Sequence, residues 1–409
     1  MANLTDRLEA LPAARPVIDA LRGIDGVWLV GGAVRDVLIG REPARDLDLV
    51  VEGDARPVAR TLAERLGGTA TFHEPFLTAR VETSQHAYDL ATARRERYPR
   101  PGALPDVEPA PLEEDLLRRD FTVNAIAANL PGDVREAPGA REDLAHGLLR
   151  VLHDASFRDD PTRLLRLVRY AARLNFAIDR RTAALARAAI GAGALDTVTG
   201  SRVGAELRLL LDEPSAGAAL GLADSLGLLA ALRPPLRWRP ELAARARVLL
   251  DVPTVLLAAA AIDADADALR AAMDDWRFPA AERDRVVAAV RDAPALAERL
   301  QSAPRPSEIA AAAQRTSPEA VALAGTLGDS DAARRWFDQL RYVALEIDGD
   351  DLRAAGIPSG PAIGRGLRAA LDRKLDGEVH GRDEELAAAL AAALEPDPPQ
   401  NRRMERRFR

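Results

Sequence analysis

Asp46 and Asp48 sit one residue apart in Arg45-Asp46-Leu47-Asp48-Leu49-Val50, shortly after a Gly31-Gly32 pair. On a strand, alternate side chains share a face, so the two carboxylates stand about 6–7 Å apart at the backbone. Two carboxylates in that relation are hard oxygen donors suited to Mg²⁺, and paired Mg²⁺ ions clamp the attacking and leaving oxygens of an in-line phosphoryl transfer. The glycine pair lets backbone amides approach a polyphosphate closely where the next helix begins. An isolated Asp-x-Asp reads as a solvated edge strand; the neighbouring Gly31-Gly32-Ala33-Val34-Arg35-Asp36 is what turns the reading toward chemistry. The glycines lack the GxGxxG spacing of a dinucleotide fold, and the chain has no GK[ST] phosphate loop.

A second cluster lies on Asp159-Asp160-Pro161-Thr162-Arg163-Leu164-Leu165-Arg166-Leu167-Val168-Arg169. On one helix, Asp160 and Arg163 would be three apart and about 60° around the axis, close enough to form a salt bridge or to face a ligand side by side. Arg166 and Arg169 continue the stripe at the same step. A carboxylate accepts from an exocyclic amino group and a guanidinium donates to a ring nitrogen, a pairing suited to cytosine or adenine.

The 409 residues include no cysteine, which excludes disulfides, thiolate nucleophiles and thiolate metal sites. The five histidines form no HxH or HExxH pattern, and after His153 only His380 remains, too few for a His-Asp phosphohydrolase centre. The net charge of −7 argues against a nonspecific polyanion binder. Lys374 is the single lysine, so nearly every cation is an arginine, the residue with a planar fork for phosphates and base edges. No apolar run approaches the roughly 18 charge-free residues of a membrane span, so a cytoplasmic protein is expected.

Aromatics are only 4% of a chain dominated by Ala and Leu, which favours helical packing. Positioning the aspartates needs a strand over Val27–Val30, a glycine turn, a helix start at Ala33 and a strand over 46–51. A helix at 55–67 and strands near 78–83 and 86–91 follow. Residues 97–114, broken by prolines, read as a loop. From about 112 the pattern is helical, with an arginine-studded helix at 157–175 and further helices at 180–191 and 200–211. The expected class is α+β: a small mixed-sheet head (1–150), a helical neck (151–214), a helical body (215–344) and a helical tail (345–409) whose arginine-rich end is disordered.

With Leu29-Val30-Gly31-Gly32-Ala33-Val34-Arg35-Asp36, Arg45–Val50, Arg118-Arg119-Asp120-Phe121-Thr122-Val123-Asn124-Ala125, Asp143-Leu144…Gly147-Leu148-Leu149-Arg150, the 159–174 stretch and Ser201-Arg202-Val203-Gly204-Ala205-Glu206-Leu207 all in order, the chain resembles the class II tRNA nucleotidyltransferases and their bacterial poly(A) polymerase relatives. Ser201 departs from the glutamate often found there. The resemblance implies that Asp46 and Asp48 bind Mg²⁺. Gly31, Gly32 and Arg35 would face the triphosphate, and Asp89 would be a third carboxylate that deprotonates an RNA 3′-hydroxyl. Arg119, Asp120 and Asn124 would bind or position the nucleotide. Asp160 and Arg163 would form a protein template for the base, with Arg166 and Arg169 reaching toward the phosphates. The implied activity is untemplated addition of C and A to the tRNA 3′ end from CTP and ATP, with the acceptor stem lying along the helical body. Poly(A) polymerases usually carry a Gly-Arg-Arg-Phe-like stretch that 71–80 lacks, and CC-only enzymes lack the loop present at 97–114. Full CCA addition is therefore favoured, with A-only addition as the alternative. A non-catalytic RNA-binding module on the same scaffold is marked by loss of a metal carboxylate, and both are present.

Overall fold

The computed structural model describes residues 7–8, 13–41, 47–129 and 132–395. Asp46 and the arginine-rich end fall outside these residues. The chain forms two compact units. One comprises Met1–Trp238 together with Ala271–Phe278, the other Arg239–Arg270 together with Pro279–Arg409. The division falls inside the stretch expected as body, and head and neck belong to one unit.

The first unit is built on a mixed seven-stranded sheet in the order β3-β4-β5-β2-β1-β8-β9. Its strands are β1 (Val27–Val30), β2 (Leu47–Val51), β3 (Thr69–His73), β4 (Thr78–Glu82), β5 (Ala87–Thr92), β8 (Ile126–Asn129) and β9 (Val134–Glu136). Only β2 and β5 pair in parallel. β1 is buried along its whole length, as its run of Val-Trp-Leu-Val requires. Gly31 ends it at φ 69°, in the region that favours glycine, and opens the short helix α1 (Gly32–Leu38). Helix α2 (Ala55–Leu66), capped by Asp54 and ended by left-handed Gly67, packs behind β3 and β4.

The expected 97–114 loop is partly ordered. β6 (Arg94–Arg97) and β7 (Asp106–Pro109) pair as an antiparallel hairpin before helix α3 (Leu112–Leu117). Proline tolerates this because the ribbon is two-stranded and each strand has an open edge. The single helix expected at 157–175 is two: α4 (Ser156–Asp159) and α5 (Arg163–Leu174), broken at Asp160-Pro161-Thr162. Pro161 lacks the N–H to continue α4, and Asp160 leaves the helical region at φ −131°, ψ 92°. Helices α6 (Arg180–Gly191) and α7 (Gly200–Leu211) match the expected spans.

The second unit is helical. Its long helix Ala280–Gln301 packs along Pro318–Leu327. A separate apolar cluster, with Ile347, Leu352, Ala370 and Ala389, is built by the helices of 349–394.

Candidate active site and nucleotide cavity

The sheet register places Asp48 beside Val30 on β1 and beside Asp89 on β5. Arg80 of β4 stands opposite Asp89 in turn. Paired positions on neighbouring strands point to the same face, so Asp48, Asp89 and Arg80 form a row across three strands. Arg80 donates to both Asp89 carboxylate oxygens at 3.1 Å, so Asp89 would have to release this partner before taking a proton. A Cβ on Gly31 would stand 3.4 Å from an Arg119 nitrogen and 3.9 Å from Asp48 Oδ2. The missing side chain therefore leaves a cradle between a carboxylate and a guanidinium. The donor chemistry of Asp48 and Asp89, with Asp46 adjacent in sequence, fits a hard divalent cation.

Asp48 lines a cavity of about 370 Å³, whereas Asp89 and Arg80 line a second cavity, of about 450 Å³, that Asp48 also borders. The first cavity is the one that gathers the motifs. Its lining includes Gly31, Gly32, Asp48, Arg119, Asp120, Asn124, Asp160, Arg163 and Arg166, so residues more than a hundred positions apart in the chain share one wall. Six arginines and four carboxylates line it, a surplus of positive charge that favours an anionic ligand. Arg94 Nε and Arg119 Nε are buried without a partner, donors that an anion could satisfy.

Arg35 and Arg169 are brought elsewhere. Arg35 is 1% exposed, forms an ion pair with Asp36 at 2.7 Å, donates to Asn124 Oδ1, and lies under the cavity rather than in its lining. Arg169 is buried against Glu206 at 2.9 Å. Arg166 reaches the cavity, but its fork holds Asp120 at 2.7 Å and Glu206 at 3.1 Å. These contacts close a ring: Asp36–Arg35–Asn124–Asp120–Arg166–Glu206–Arg169–Glu213–Arg173–Asp36. Tyr170 stands within it, with the Arg35, Arg166 and Arg169 guanidiniums 5.4, 5.4 and 4.8 Å from its ring centre. Burial alone would raise the Asp120 carboxyl; the Arg166 guanidinium, the Asn124 amide and Arg163 outweigh it and hold it at about 2.

Asp160 and Arg163 face the cavity without bridging one another. Arg163 donates to Ser156 Oγ at 2.8 Å and to the Arg118 carbonyl at 2.7 Å. Asp160 Oδ1 accepts from the Thr162 amide and hydroxyl and from Arg202. The shared helix supposed from their spacing is replaced by the Pro161 break, which puts Asp160 ahead of α5 and Arg163 at its first position. Tyr98, which belongs to none of the motifs, also lines the cavity and donates to Glu96 at 2.9 Å. Burial, then the Glu96 carboxylate, pushes its phenol far above the usual range. No motif marked it; its only signal was an aromatic ring in an aromatic-poor chain.

A family model for the poly A polymerase head domain matches residues 27–150. The CC-adding tRNA nucleotidyltransferase of Deinococcus radiodurans is 35% identical over 381 residues, covering 90% of both chains. The chain belongs to the tRNA nucleotidyltransferase family. The A-adding tRNA nucleotidyltransferase of Geobacter sulfurreducens is 34% identical over 93% of this chain, which spans 47% of that relative's length. Among solved structures, the Thermotoga maritima CCA-adding enzyme complexed with tRNA superimposes with a TM-score of 0.79 at 26% identity, covering 96% of this chain and 98% of that one. A CCA-adding enzyme in complex with CTP also gives 0.79, at 28% identity. The family's mixed-sheet head followed by helices is the architecture found here. No helix among the described residues is long and apolar enough to cross a membrane.

Proposed function

We propose that this protein is a cytoplasmic nucleotidyltransferase that completes the CCA end of tRNA, adding C and A from CTP and ATP with no nucleic-acid template. One observation carries the reading: Asp160 and Arg163, held apart by other partners, face the same cation-rich cavity as Asp48, Gly31 and Arg119. A base with an amino group beside a ring acceptor satisfies both template side chains. A base with a carbonyl in place of the amino group leaves Asp160 without a donor, at a cost of about 1–3 kcal/mol. Arg119 and Arg94 supply uncommitted donors for the triphosphate. Asp46 and Asp48 would hold Mg²⁺, which when bound stabilises charge on the attacking and leaving oxygens. Asp89, released from Arg80, would accept the proton of the RNA 3′-hydroxyl.

A-only addition is the second reading, favoured by the likeness to an A-adding enzyme over 93% of the chain. Incubating the protein with tRNAs lacking one, two or three terminal nucleotides, with CTP and ATP singly and together, decides. Restoration of all three ends supports CCA addition, and extension only of the tRNA lacking its last A supports the second reading. Extension by C alone, or no transfer, overturns both.

A further inference from the structure

Arg202 on α7 has no part in the roles above, yet it holds the base-facing carboxylate. One guanidinium nitrogen donates to Asp160 Oδ1 at 2.8 Å, the other to the Gly102 carbonyl at 2.9 Å. The Thr162 amide (3.0 Å) and hydroxyl (2.6 Å) converge on the same Oδ1. Three donors on one oxygen fix the rotation of the carboxylate, and Oδ2 takes none of these bonds. Gly102, between β6 and β7, is itself pinned. Its φ is +70°, its amide donates to the Arg158 carbonyl at 3.3 Å, and a Cβ there would stand 2.3 Å from Thr197 Oγ1 and 2.6 Å from the Thr197 carbonyl oxygen. The guanidinium fork therefore spans two anchored acceptors, a geometry that a lysine point charge cannot reproduce.

We infer that Arg202 is a positioning residue for nucleotide choice: it sets the orientation of Asp160 so that Oδ2 meets the amino group of an incoming base. The inference rests on the reading of Asp160 as a base-selecting group. Acting only through Asp160, Arg202 changes which nucleotide is chosen more than how tightly the RNA or triphosphate binds.

The test is incorporation of all four nucleotides into tRNA ending in C75 by wild type, Arg202→Ala, Arg202→Lys, Asp160→Ala and the Arg202→Ala/Asp160→Ala double variant. The preference for ATP over UTP and GTP should fall about tenfold in Arg202→Ala, the size of one lost hydrogen bond to a charged group. The KM for tRNA should hold, and Arg202→Lys should fall between. In the Asp160→Ala background, Arg202→Ala should add nothing, because its route is already cut. Equal slowing with all four nucleotides, or additive losses in the double variant, overturns the inference while the reading of Asp160 stands. Full ATP selectivity in Asp160→Ala overturns that reading, and Arg202 then has nothing to act through. Should Arg202→Ala melt well below wild type, Gly102→Ala, which displaces the fork's other anchor, serves in its place: unchanged selectivity overturns the inference.

Discussion

Asp48 is the described half of the proposed metal pair, and it shares the Gly31 cradle with Arg119. Asp48→Ala should lower transfer by several orders of magnitude while tRNA affinity stays nearly unchanged, because its proposed role is to hold the metal and not the RNA body; single-turnover rates and filter binding separate the two. Asp120 permits a second test through pH. Its carboxyl sits at about 2 against an ordinary 3.8, so between these values the folded chain binds fewer protons than the unfolded one. The stabilisation is complete above the ordinary value, amounts to about 2 kcal/mol, and drains away as pH falls toward 2. Urea melts of wild type and Asp120→Asn should differ at pH 7 and converge as acid is added. At this scale the motifs announced most of the cavity lining. For Arg169, helical spacing states which residues neighbour one another, but not which acidic partner from elsewhere in the chain will claim it. Glu206 and Glu213 arrive about forty positions later, and no local pattern links them to Arg169.

Elements were legible where a single period ran uninterrupted. β1 and the helices at 180–191 and 200–211 fall where the pattern puts them. β8 and β9 carry no local signal because Ile126-Ala127-Ala128-Asn129 and Val134-Arg135-Glu136 are too short to show alternation, and only pairing, β8 against β1 and β9 against β8, makes them strands. β7 lies within the stretch expected as loop, because its prolines weigh more heavily in a local reading than in an open-edged ribbon. Helix α7 carries a further test. Gly204 lies against the Trp276 backbone, where a Cβ would stand 1.9 Å from the carbonyl oxygen. Backbone cannot swing aside as a flexible side chain can, so Gly204→Ala should cost about 1–3 kcal/mol. Thermal melting should record a drop of several degrees, with nucleotide preference unchanged in the fraction that stays folded.

For the whole molecule, an acidic total of −7 and an arginine-rich end (Arg402 to Arg409) mean that, on the proposed function, RNA would be met through local arginine clusters. The dissociation constant for tRNA should rise steeply with salt, with a log–log slope that counts the phosphates engaged. Deleting 402–409 should flatten that slope; an unchanged slope would make the end a bystander. Chain connectivity also matters at this scale. The first unit takes in Ala271–Phe278 only after the chain has passed through Arg239–Arg270 of the second. Trp276 and Phe278 are 4% and 8% exposed, and Arg208 lies over the Phe278 ring and donates to the Arg277 carbonyl. A fragment ending at 238 should therefore be less soluble and melt lower than one in which 271–278 is retained through a short linker. During synthesis on the ribosome the same arrangement sets a schedule. The first unit cannot cover the glycine-lined side of α7 until the polymerising chain has already emitted 239–270 of the second, so an arrest of translation between 238 and 278 would leave that side of the nascent protein open to chaperones.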